Sequence, residues 1–108
     1  MRKVYVCSPY SGNVEHNIEK AKDFCNEVLL EGNMPIAPHL YFTQFMDDNN
    51  PTQREKALEF NKVLIDFCDE LAVFGDHISS GMAEEIKYAS STGKLIVNMM
   101  EVLDETAN

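Results

Sequence analysis

Residues 68–97 read CDELAVFGDHISSGMAEEIKYASSTGKLIV, and this stretch decides the fold. Leu71-Ala72-Val73-Phe74 is a continuous apolar run, the pattern of a strand buried on both faces. Gly75-Asp76-His77-Ile78 ends it, and Ser79 or Ser80 caps a helix predicted to run to about Ser91. Thr92-Gly93 stops that helix, and Leu95-Ile96-Val97 reads as another strand. Strand, helix, strand at this spacing calls for a right-handed crossover between parallel strands.

Working toward the N-terminus, the same alternation repeats. Val4 to Cys7 is a β-prone run broken by the loop Ser8-Pro9-Tyr10-Ser11-Gly12-Asn13. From Val14 to Leu30, apolar residues Val14, Ile18, Ala21, Phe24, Cys25, Val28 and Leu29 recur at helical spacing. Glu31-Gly32-Asn33 supplies the stop. Met34 to Pro38 is a brief extended segment, and its prolines predict a short or edge strand. His39 to Asn50 reads as a long connection with aromatics but no clean period. Pro51-Thr52 opens a further helix whose buried stripe is expected to be Ala57, Phe60, Val63, Leu64 and Phe67. Met99 to Asn108 is expected to form a short helix with a frayed tail.

These elements predict an α/β chain: a doubly wound, three-layer Rossmann or flavodoxin-like domain with four to five parallel strands between helices. At 108 residues a single domain spanning the whole chain is expected. In such sheets ligands bind outside the carboxyl ends of the strands, here the loops 8–13, 38–50 and 75–81.

Charge narrows the partners. Nine Lys and Arg against 18 Asp and Glu give a net charge of −9, which a nucleic-acid backbone or an anionic membrane would repel. The N-terminal MRKVYVCSPY lacks a signal-peptide core, and no run approaches a membrane span. Cys7, Cys25 and Cys68 are odd in number and widely spaced, fitting neither a disulfide framework nor a zinc site. Free buried thiols in a reducing cytoplasm are the expectation. No metal-ligand spacing occurs, and neither a Walker pattern nor GxGxxG is present, so no cofactor is expected.

Three features converge on the predicted ligand edge. Ser8, Pro9, Tyr10 and Gly12 form a small, hydroxyl-bearing loop that permits close backbone approach or serves as a plain strand-to-helix turn. Ser79-Ser80-Gly81-Met82-Ala83-Glu84-Glu85 places hydroxyls and glycine at a helix start. That start either holds an anion or is an ordinary capped terminus. Adjacent helical residues differ by about 100°, so Glu84 and Glu85 cannot both face one pocket. His39 stands beyond a strand end, where it binds a ligand, shuttles a proton or is structural.

The runs VYVCSPYSG, CDELAVFG, ISSGMAEEIKYA and GKLIV together resemble the nucleoside 2-deoxyribosyltransferase superfamily, in order and over nearly the whole chain. The chain looks like the small phage and bacterial members of that superfamily. The strongest piece is S-x-G-x-x-x-E followed by Tyr-Ala, here Ser79, Gly81, Glu85, Tyr88 and Ala89. The resemblance implies cleavage of the N-glycosidic bond of a deoxynucleoside or its 5′-monophosphate. It makes Glu85 the nucleophile and Tyr5 its orienting partner. Ser8, Gly12 and Ser79 fall where nucleotide-hydrolysing members hold the 5′-phosphate, with Pro9, Tyr10, His39, Asp76, Gly81 and Met82 as further substrate contacts. It also implies a homodimer or larger homo-oligomer.

One position departs from the pattern. Asn61 stands where the family carries an aspartate, eight residues before Asp69. Asparagine can hydrogen-bond a sugar or base but cannot act as a general acid. Base protonation then falls to Asp76, His77 or His39, or the chain is a non-catalytic nucleotide-ligand sensor. An acidic interaction protein is a third reading.

Overall fold

The computed structural model describes residues 1–100. Four strands, β1 (Lys3–Cys7), β2 (Met34–Ile36), β3 (Glu70–Val73) and β4 (Leu95–Asn98), form one parallel sheet in the order β2-β1-β3-β4. Helix α1 (Val14–Leu30) connects β1 to β2, and α4 (Ser80–Ser91) connects β3 to β4. The β2-to-β3 connection holds a short helix α2 (Pro38–Tyr41), a 3₁₀ turn (Phe42–Gln44) and α3 (Pro51–Phe67). The expected three-layer, doubly wound α/β architecture is therefore present.

From β1 the chain steps outward to β2, then returns across β1 to β3 and onward to β4. Right-handed crossovers in opposite directions put α1 on one face and α3 and α4 on the other. Alternation along β1 sorts the core accordingly. Val4 and Val6 pack with Phe24 and Val28 of α1, where Phe24 stacks on Phe74 at 4.8 Å. Tyr5 and Cys7 face the other way, toward Ile65, Met82 and Ala89. Between β1 and β3 the winding direction changes, so the carboxyl ends of these two strands frame the crevice.

The caps follow from sequence. Asn13 Oδ1 accepts from His16 N at the start of α1, and Asn50 Oδ1 accepts from Thr52 N and Gln53 N at α3. Ser79 Oγ accepts from Met82 N at α4. β2 is a three-residue edge strand containing Pro35, as its prolines predict.

Two expectations are corrected. The segment after Pro38 is not a plain connection but holds α2 and the 3₁₀ turn. There Tyr41, Phe42 and Phe45 cluster, and Phe42 meets Phe60 at 5.3 Å. On α3 the inward row is Asn61, Leu64 and Ile65, leading to Cys68, whereas Phe60, Val63 and Phe67 are exposed. The helix carries two apolar rows, and the sheet takes the one that contains a polar residue. The outer ends of the α1 stripe, Val14 and Leu29, are likewise exposed. The helix expected beyond Met99 lies outside the described residues, apart from Met99 and Met100 themselves, which are not helical. Among the described residues no helix is long and apolar enough to cross a membrane, and all three cysteines are free.

Candidate active site

β1 and β3 end side by side, and their loops touch. Gly75 adopts φ +108°, and a Cβ there would lie 2.8 Å from Pro9 Cδ. Only glycine lets the chain leave β3 this close to Pro9. Asn17 of α1 donates to the carbonyls of Tyr10 (2.9 Å) and Ser11 (3.0 Å), which pins the loop after β1.

Beneath this edge sits the Glu85 carboxylate. α4 starts at the edge and runs back over the sheet, so its second turn brings Glu85 over β1. Tyr5 Oη donates to Glu85 Oε2 at 2.5 Å, and Asn61 Nδ2 donates to the same oxygen at 3.2 Å. Cys7 Sγ approaches Oε1 at 3.5 Å and the Met82 carbonyl at 3.9 Å. Two elements, β1 and α3, thus converge on one side chain of α4. Glu84, its neighbour, is exposed.

Burial sets the electrostatics. Loss of solvation raises the Glu85 carboxyl above its ordinary range, although the Tyr5 and Cys7 hydrogen bonds pull it down. Tyr5 and Cys7 are also raised, first by burial and then by the nearby Glu85 charge, so both stay protonated and donate. The carboxylate is partly desolvated but held by donors, a state suited to attack on a cationic carbon.

A second cluster lies at the end of β1. Ser8 Oγ and His39 Nε2 are 3.1 Å apart, and the His39 ring meets Tyr10 edge-on at 6.0 Å. Burial lowers His39 to about 4, so the imidazole is neutral at physiological pH. Asp76 and His77 form an exposed pair at 2.7 Å on the loop after β3. Asp76 and Gly75 also line a shallow cleft against α1 with Pro9, His16, Asn17, Lys20 and Phe24.

The structure therefore brings Glu85, Tyr5 and Asn61 into contact and places Ser8 beside His39. Gly12 has φ +96° and lies at the loop tip, while Gly81 is in the exposed first turn of α4. Pro9 is buried against Gly75. Met82 is turned into the core, where its sulfur accepts from Ser79 N. Cys7 is the member that the sequence reading missed. Its signal was available: it lies two residues after Tyr5 on a strand, hence on the same face.

Fold and site together define a parallel α/β domain with a donor-held carboxylate under the carboxyl edge of its sheet. The same fold occurs in a 2-deoxyribosyltransferase from the psychrotolerant bacterium Bacillus psychrosaccharolyticus (TM-score 0.69, 17% identity, covering 96% of this chain and 78% of that one). It occurs in a 2-deoxyribosyltransferase from Leishmania mexicana (TM-score 0.62, 14% identity, 93% and 65%). A CMP N-glycosidase from Clostridium botulinum is similar as well (TM-score 0.60, 21% identity, 99% and 75%). No curated protein matches in sequence. The chain itself belongs to the family described as domain of unknown function DUF7768, whose model matches residues 2–99.

Proposed function

We propose that this protein cleaves the N-glycosidic bond of a deoxynucleoside or its 5′-monophosphate, with Glu85 as nucleophile. The observation that carries this reading is the convergence of Tyr5, Asn61 and Cys7 on the Glu85 carboxylate. The shared fold with two deoxyribosyltransferases and a CMP N-glycosidase supports the same chemistry.

In the first step a carboxylate oxygen bonds to the anomeric carbon as the carbon–nitrogen bond breaks. The bonding pair leaves with the base, which takes a proton delivered through solvent. In the second step water attacks the anomeric carbon, the glycosyl ester breaks and the carboxylate returns, with one proton released. A second base in place of water gives transfer instead of hydrolysis. Tyr5 and Asn61 hold the carboxylate in place through both steps. Ser8, His39, Tyr10, Gly12 and the α4 start at Ser79 and Gly81 bound the space for the nucleoside.

The chain is also expected to self-associate. Phe60, Val63 and Phe67 form an exposed apolar row on α3, beside exposed Tyr41 and Phe45. A homodimer or larger homo-oligomer would cover that row.

A non-catalytic nucleotide sensor is the second reading, favoured by one observation. Asn61 occupies the position beside Glu85 where an acid would stand, and His39 is neutral. Incubation with deoxynucleosides and their 5′-monophosphates, followed by chromatography for free base, separates the two. Catalysis predicts base release that Glu85→Ala abolishes and Glu84→Ala leaves nearly intact. Ligand binding without base release would establish the sensor.

A further inference from the structure

We propose that Cys7 is a positioning residue that makes Oε1, not Oε2, the attacking atom of Glu85. This inference rests on the glycosidase reading above and assigns roles within the same carboxylate.

The two oxygens are held unequally. Oε2 receives a phenol at 2.5 Å and an amide at 3.2 Å, both strong donors that draw electron density from it. Oε1 receives the Cys7 thiol at 3.5 Å. A thiol is a weak donor, so it orients this oxygen while leaving its lone pairs reactive. Among the described residues, Tyr5 and Cys7 from β1 and Asn61 from α3 are the polar side chains that face the carboxylate.

The thiol also has somewhere to go. Cys7 Sγ lies 3.9 Å from the Met82 carbonyl, so its hydrogen has two acceptors in reach. When Oε1 bonds to the anomeric carbon it loses its charge and accepts poorly. The thiol hydrogen then turns to the Met82 carbonyl, and no buried donor is stranded. Oε2 becomes the ester carbonyl and keeps both of its donors throughout. On hydrolysis the charge returns to Oε1 and the thiol turns back. A serine hydroxyl at this position would hold the free carboxylate more strongly and stabilise the ground state against attack.

The test is a crystal structure of the wild-type protein with its glycosyl-enzyme trapped by a 2-fluorinated deoxynucleoside, together with kinetics of Cys7→Ala and Cys7→Ser. The ester oxygen is expected on the Cys7 side, with the carbonyl oxygen still bonded to Tyr5 and Asn61. Cys7→Ala should move the acidic limb of kcat/KM to higher pH, because Oε1 loses its donor. Cys7→Ser should move that limb to lower pH and reduce kcat by roughly three- to tenfold with little change in KM. An ester oxygen on the Tyr5 side overturns the assignment, as do pH profiles that coincide with wild type in both variants. If the fluorinated substrate loses its base yet leaves no adduct on Glu85, the glycosidase reading with Glu85 as nucleophile is what fails.

Discussion

Tyr5 and Glu85 are 80 residues apart in sequence, yet the Tyr5 hydroxyl donates to Glu85 Oε2 at 2.5 Å. The contact exists because β1 lies at the centre of the sheet and α4 packs over it, so a strand residue and a helix residue meet face to face. Tyr5 is 1% exposed, and its hydroxyl finds its partner in the site itself.

Tyr5→Phe keeps the ring and deletes the donor. The expected result is a fall in kcat of roughly ten- to a hundredfold, since hydrogen bonds to charged groups are the stronger kind. The acidic limb of the rate profile should move to higher pH, because Glu85 loses one of the bonds that lower it. Steady-state kinetics across pH read both effects.

Glu85 should weaken the fold that it serves. Burial raises its carboxyl, so the native state takes up a proton at higher pH than the unfolded chain does. The stability tied to this group is full below the unfolded value and is lost as pH rises through the folded one. Glu85→Gln removes that charge and keeps groups that can pair with Tyr5 and Asn61. Calorimetry should find the variant as stable as wild type or more so at neutral pH, with the difference shrinking in acid. Turnover should fall roughly a thousandfold or more. A variant clearly less stable at neutral pH would contradict the assignment of a burial-strained carboxylate.

Charge at the ligand edge predicts a substrate preference. The loops 8–13, 38–50 and 75–81 contain no lysine or arginine, but they carry Asp47, Asp48 and Asp76. Lys20 and His16 line the cleft against α1, on the face opposite Glu85. A free deoxynucleoside should therefore be preferred over its 5′-monophosphate by roughly tenfold at low ionic strength, and salt should narrow the gap. Competition between the two substrates at two salt concentrations measures it.

Gly75 predicts a purely structural effect. An alanine there would need an unfavourable positive φ and would crowd Pro9 at 2.8 Å. Gly75→Ala should cost about 2–4 kcal/mol in urea denaturation, through backbone strain and overpacking.

Much of this molecule was legible from residue pattern, and the exceptions have physical causes. Leu71 to Phe74 announced a central strand because a strand buried on both faces is apolar throughout. The start of α4 was visible because helix starts demand side chains such as Ser79 or Ser80, whereas the Asn50 cap of α3 fell at the end of a stretch that reads as a connection. Helix α3 misled, because its exposed row of Phe60, Val63 and Phe67 is more apolar than the row that faces the sheet. The buried row contains Asn61, whose burial is satisfied by Glu85, and no local period can reveal a partner 24 residues away. Glu85 could be separated from Glu84 only through the resemblance to deoxyribosyltransferases. The structure now adds the donors around it. Cys7 read as an ordinary buried thiol because its acceptor lies on a distant helix.

The central claim is that the Glu85 carboxylate becomes bonded to the sugar during turnover. Acid quenching during reaction with a slow 2-fluorinated deoxynucleoside, followed by proteolysis and mass mapping, tests it most directly. A sugar-sized mass increase on the peptide containing Glu85, at Glu85 itself and retained in Glu84→Ala, is the predicted result. An adduct on any other residue, or base release with no adduct at all, would contradict it.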